Sequence, residues 1–330
     1  GQIQNPEIIA AGNKLIIPAW FNNATGIISN NIYVYDRVTQ NWTTIQASHA
    51  RIGAVTIATG DKVFFAGGMD GWDDNYSATS GVDIYDITTN TWSVSNLSEA
   101  RGYCSAVVSG NRIFFAGGLK NNNILSNKVD IYNLETNTWS SALLPGGARV
   151  VGAAVTAQNK VLFCGGYTAY ENPTGFGYVL ISSTTMIDIY DNNTGQWSIS
   201  TMQVNKGSFA AISVNEKVYL AGGVVNNAGT FLVEELNVNA MNSSNSCLHQ
   251  PMIGGGAVIK NDKIIFLANS TISGISVNKF DIYNTQTGVW SVGVLPPDLI
   301  PTNSYTPIAI GSANNEIYTI IGTKLYKMNL

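Results

Sequence analysis

The sequence predicts an all-β protein built from seven copies of one four-stranded unit. Three observations carry this. One phrase recurs: an apolar strand closing on Gly-Gly, a loop, Asp-Ile-Tyr with Asp or Asn, and a Trp seven residues after the Tyr, clearest in Val63–Trp92 and Ile113–Trp139. The period is regular: the strand tyrosines are Tyr35, Tyr85, Tyr132, Tyr190, Tyr283 and Tyr326, with Leu236 in the gap, so steps run from 43 to 58 residues. Helical periodicity is absent, and short runs of Val, Ile, Phe and Tyr alternate with turn signals.

Each element has a physical reason. In the second unit the strands are expected at Ala54–Ala58, Val63–Ala66, Val82–Tyr85 and Trp92–Ser95. The first two are nearly all apolar, as when both faces are covered. The third alternates, so Asp83 and Tyr85 face away from Val82 and Ile84. Gly67 and Gly68 end the second strand where a Cβ would hinder a sharp exit or close backbone packing. Asp86 and Thr89 bracket the next turn, where such side chains bond local amides. Tyr85 and Trp92 are large and flat, suited to the wedge between neighbouring sheets, and their recurrence assigns them to packing.

These phrases resemble the Kelch repeat. The matching elements are Gly67-Gly68, Gly117-Gly118, Gly165-Gly166 and Gly222-Gly223 with the Tyr and Trp positions above, and the resemblance spans essentially the whole chain. It implies a single seven-bladed Kelch-type β-propeller with four-stranded blades around a channel, over residues 6–46, 52–97, 102–144, 150–201, 207–248, 253–295 and 305–330. Departures are Pro18-Ala19, Leu236 with no Trp after it, Ala268-Asn269 and Ile321-Gly322. The last blade is expected either to stay incomplete or to be closed by the N-terminal residues 1–4.

Composition narrows the function. Charged residues make up only 12% and the net charge is −4, which argues against a nucleic-acid partner. No apolar run reaches membrane-spanning length. A surface rich in Asn, Ser and Thr points to an extracellular or cell-surface setting; the seven sequons from Asn23 to Asn269 are read as chance in so Asn-rich a chain. The three cysteines form no framework and no metal site; Cys104 and Cys164 read as buried strand thiols. Asp70, Asp73, Asp74 and Asn75 do not match a calcium loop and read as a solvated acidic turn.

The candidate ligand residues share one face. Strands alternate in direction, so the loop between strands two and three and the loop into the next blade emerge together. Arg51, Arg101, Arg149 and Lys206 each lie 16 residues before the first Gly of their blade's pair and therefore occupy one position. In Kelch domains that recruit proteins, arginines at such positions help hold acidic segments, so the resemblance implies a cationic arc at the channel mouth. The competing reading makes them scaffold, bonded to loop carbonyls or a neighbouring Asp. The other loops add Trp20, Trp72, Tyr76, Tyr167 and Tyr170, with Phe176 and Tyr178, aromatics that break the repeat and suit a sugar or a peptide.

No catalytic constellation or cofactor site stands out. Only His49 and His249 are present, and there is no GxSxG elbow. The expected function is a non-catalytic binding module, secreted or surface-exposed, for a glycan or a protein or peptide ligand. The alternatives are a carbohydrate-active propeller enzyme, mutarotase-like or galactose-oxidase-like, and an assembly domain of a larger extracellular protein.

Overall fold

The structure, a computed structural model, describes residues 7–19, 21–22, 27–71, 76–171, 179–226, 228–268, 278–297, 308–322 and 324–328. Seven antiparallel blade sheets succeed one another along the chain, and in each the principal strands pair in sequence order. The second blade runs Val55–Thr59, Lys62–Ala66, Gly81–Asp86 and Thr91–Asn96. First strands of successive blades touch one another, and the seventh, Ile308–Ala313, returns against the first, Ile9–Ala11. This closed ring makes the chain a seven-bladed β-propeller with the first strands around the axis. Hydroxyls stitch neighbouring inner strands: Ser105 Oγ donates to Val151 O at 3.0 Å, and Ser213 Oγ to Thr156 O at 2.6 Å.

The core lies in the wedges between blades. Phe64 and Ile84 of the second blade pack on Ile113, Phe115 and Tyr132 of the third; Phe114 and Ile131 of the third pack on Val161, Phe163 and Tyr190 of the fourth. Each fully buried side chain of this kind contributes about 1.5–3 kcal/mol. The Tyr ring reaches back to the preceding blade, with Phe64–Tyr132 at 5.3 Å and Phe114–Tyr190 at 5.4 Å. It also faces the Trp of its own outer strand, with Tyr85–Trp92 at 4.8 Å. The packing role expected for both residues is thus met.

The turn and glycine readings hold as well. Asp86 Oδ1 accepts the amides of Thr88 and Thr89 at 3.0 Å each, and Asp36, Asn133, Asp191, Asn237 and Asn284 repeat the arrangement. Gly67 and Gly68 have φ of +65° and +113°, and a Cβ on Gly67 would stand 2.2 Å from Arg101 O of the next blade. The second glycine of each pair donates to that same carbonyl position: Gly68 to Arg101 (3.0 Å), Gly118 to Arg149 (2.9 Å), Gly166 to Lys206 (3.2 Å) and Gly223 to Met252 (2.7 Å).

The seventh blade has three strands among the described residues, Ile308–Ala313, Glu316–Ile321 and Lys324–Met328. The proposed closing strand at residues 1–4 lies outside them. Apolar packing joins the ring: Leu15 and Ile17 meet Ala309, Tyr318 and Ile320. The fifth blade differs from expectation at its edge, where the outer strand runs Asn242–Met252 and Ser243 pairs with Leu236, in place of the Trp–Tyr pair. Among the described residues, no helix is long and apolar enough to cross a membrane.

Candidate functional site

Arg51, Arg101, Arg149 and Lys206 do share one structural position, but it lies inside the blade. Their exposures are 1%, 0%, 0% and 0%, so the expected open cationic arc at the channel mouth is not formed. The 16-residue spacing is the length of a hairpin that brings the guanidinium onto the glycine pair. Arg101 Nε donates to Gly117 O at 2.9 Å and Nη2 to Phe115 O at 3.1 Å, while Nη1 pairs with Asp130 at 2.8 Å. Arg149 repeats this with Gly165 O, Phe163 O and Asp188, the last at 2.5 Å. Arg51 pairs with Asp83 at 2.5 Å, and Lys206 Nζ donates to Leu220 O at 2.7 Å. Each arginine thus clamps the end of its second strand to the acidic residue of its third, and Lys206 caps the end of its own second strand. This is the scaffold alternative.

The acidic partners were not singled out by sequence reasoning. They are the Asp of the Asp-Ile-Tyr phrase (Asp83, Asp130, Asp188 and Asp281), with Glu234 in the fifth blade. Each also accepts the amide of the residue three before the cation position: Ser48, Ser98, Gly146, Gln203 and, in the sixth blade, His249. The sixth blade carries Met252 at the cation position, and there the His249 ring stands in, with Nδ1 3.2 Å from Asp281. The signal was present: an acidic residue recurred in step with a basic one.

Lys206 gives a pH prediction. Burial lowers its pKa from 10.5 to about 8, partly opposed by Glu234. Between those values the unfolded chain binds the proton more tightly, so stability from this group is flat below pH 8 and rises as pH climbs toward 10.5. The unfolding free energy of the wild type minus that of Lys206→Met should increase by roughly 2–3 kcal/mol between pH 7.5 and 10.5, read by urea titration. A difference that does not change with pH would show that Lys206 does not titrate there.

Above these pairs lie the loops. Tyr76 is spent on the scaffold: its hydroxyl donates to Asn123 Oδ1 at 2.9 Å and lies 3.2 Å from Lys120 O. Tyr167 is 8% exposed, bonds Ser208 Oγ at 2.9 Å and covers Gly207, where a Cβ would stand 2.2 Å from its ring. Tyr103, which the sequence did not highlight, covers Gly53 in the same way, and burial raises its hydroxyl pKa to about 12. Trp20, Trp72, Phe176 and Tyr178 lie outside the described residues, as do Asp73, Asp74 and Asn75. Tyr170 belongs to the extended strand Lys160–Glu171, opposite Leu180. His49 Nδ1 is 2.6 Å from Ser48 Oγ, which donates to Asp83 at 2.9 Å. The hydroxyl sits between imidazole and carboxylate, whereas a catalytic triad needs the imidazole in the middle.

The two faces differ in regularity. On one, tight turns such as Gly60-Asp61 and Gly110-Asn111 recur from blade to blade. On the other, the connections vary: Phe21–Asn22 pairs with Ile27–Ile28, Lys160–Glu171 runs on to pair with Val179–Ser183, and Val224–Val225 pairs with the start of Ala228–Asn237.

The model of the KLHDC2/KLHL20/DRC7 Kelch-repeats domain matches residues 7–223. The chain belongs to the Kelch-repeat family. The match stops at Gly223, just before the blade segment that loses the Tyr and Trp. No curated protein matches the chain. Among solved structures, the one described as "Structure of YjhT" superposes with a TM-score of 0.66 at 13% identity, covering 88% of this chain and 97% of that one. At that identity the likeness supports the propeller fold alone. As many as 751 chains of known structure match, a breadth that points to a fold in wide use and not to one activity.

Proposed function

We propose that this Kelch propeller is a non-catalytic binding module, secreted or displayed on a cell surface, that engages a glycan or a protein or peptide ligand through its irregular loop face. The observation that carries this is the contrast between the two faces. Hairpins that depart from the four-strand repeat gather on one side of a rigid ring, which is where variable recognition loops are found. The low charge and the Asn-, Ser- and Thr-rich composition support an extracellular setting. Because the arginines are buried, recognition there rests on aromatic and amide side chains, and the ligand need not be acidic.

The test is a glycan array run beside a peptide-display selection, followed by Trp20→Ala, Trp72→Ala and Tyr170→Ala. Each is expected to weaken binding at least tenfold with the melting temperature unchanged. Full retention of binding in all three, or turnover of a sialic acid or galactoside abolished by the same changes, would overturn the proposal.

A further inference from the structure

The junction between the fifth and sixth blades departs from every other described junction between four-stranded blades. At one cross-strand position of the second and third strands the pairs are Ile16–Val34, Phe64–Ile84, Phe114–Ile131, Leu162–Ile189 and Ile265–Ile282, all apolar. In the fifth blade the pair is Tyr219–Glu235. Tyr219 is 3% exposed and its ring lies 5.4 Å from Tyr283 of the sixth blade. Burial, and then the Glu235 charge, raise its hydroxyl pKa, so it is a neutral donor.

A second feature marks this junction. In the first, third and fourth blades the basic residue that starts the second strand reaches across to the next blade: Lys14 Nζ to Ile87 O at 3.4 Å, Lys160 Nζ to Val238 O at 2.6 Å, and Arg112 to the Tyr190 hydroxyl and Asn192. Lys217 instead pairs with Glu235 of its own blade at 2.6 Å. A cleft of about 520 Å³ lies there, lined by Asn215, Glu216, Lys217, Tyr219, Asp262 and Gln286 among others. That volume is in the range of small-molecule sites.

We propose that this cleft is a binding site for a neutral sugar ring, on the turn side of the propeller and separate from the loop face. The chemistry selects the ligand. Planar carboxylates and amides can each engage two neighbouring groups, which matches the vicinal hydroxyls of a pyranose. Lys217 and Glu235 neutralise each other, and the Glu216 and Asp262 carboxylates that line the cleft serve as acceptors for sugar hydroxyls. An apolar replacement at Tyr219 and Glu235 is what the neighbouring blades use, so packing does not require these polar groups.

The test titrates methyl galactoside, methyl glucoside, N-acetylglucosamine and, as a cationic probe, methylguanidine into the protein, with binding read by saturation-transfer NMR and calorimetry. At least one sugar is expected to bind saturably while methylguanidine does not. The double variant Tyr219→Phe/Glu235→Ile, which restores the apolar pair, is expected to melt no lower than wild type and to bind that sugar at least tenfold more weakly. Should the repacked variant fail to fold, Glu216→Ala/Gln286→Ala at the partly exposed rim carries the same expectation. Ligands of the loop face should be unaffected by either change. Absence of saturable sugar binding, unaltered binding in the variants, or salt-sensitive preference for methylguanidine would each overturn the assignment.

Discussion

Arg149→Ala is expected to lower the unfolding free energy by about 3–5 kcal/mol, because it leaves the Asp188 carboxylate buried without its cation. Both side chains are 0% exposed and 2.5 Å apart. The same change strips donors from Gly165 O and Phe163 O, two carbonyls at the end of the fourth blade's second strand. Asp188 would keep the Gly146 amide, at 2.5 Å, which cannot neutralise a charge. The double variant Arg149→Met/Asp188→Leu should recover much of the loss, since replacing both buried charges with apolar groups removes the desolvation cost along with the attraction. Urea denaturation of the wild type and both variants measures this. If the single variant were as stable as wild type while ligand binding was lost, the clamp would be recognition machinery and not scaffold.

Gly166→Ala is expected to cost about 4 kcal/mol or more, at the extreme of single substitutions. Gly166 has φ +100°, and its Cβ would stand 2.0 Å from Val150 O and 2.4 Å from Gly152 N, both backbone atoms that cannot swing away. Gly110→Ala is the control. Its φ is +59°, but nothing lies within 4 Å of the added carbon. Only the left-handed strain remains there, about 1–2 kcal/mol. Thermal melts of the two variants should differ widely, with Gly166→Ala poorly folded at 37 °C. Equal melting temperatures would mean that the glycine pair serves conformational freedom alone and not the close approach between strands.

The repeat was legible because each of its parts meets a local demand. Asp86 and its equivalents bond the turn amides, the glycine pairs take left-handed backbone, and Tyr85 meets Trp92 across a hairpin. These interactions lie within about 20 residues, so spacing alone reports them. The clamp was half legible. The shared register of Arg51, Arg101, Arg149 and Lys206 was visible, but the direction of their side chains was not. For the arginines, a partner roughly 30 to 40 residues away turns the side chain into the blade, and its carboxylate belongs to a different strand. Tyr76 and Tyr167 were legible as aromatics outside the repeat, yet each is held by a group on the next blade. The Lys217–Glu235 pair went unnoticed, because its meaning depends on what the same strand position does in the other blades.

The sequence by itself determined the seven units, their strands and turns, and their membership in a propeller, because these rest on contacts between residues close in the chain. Only the tertiary structure decided which polar groups face water. Burial is a property of what the neighbouring strand and the next blade bring up against a side chain, and the same Arg or Tyr is a ligand contact or a strut according to that neighbour.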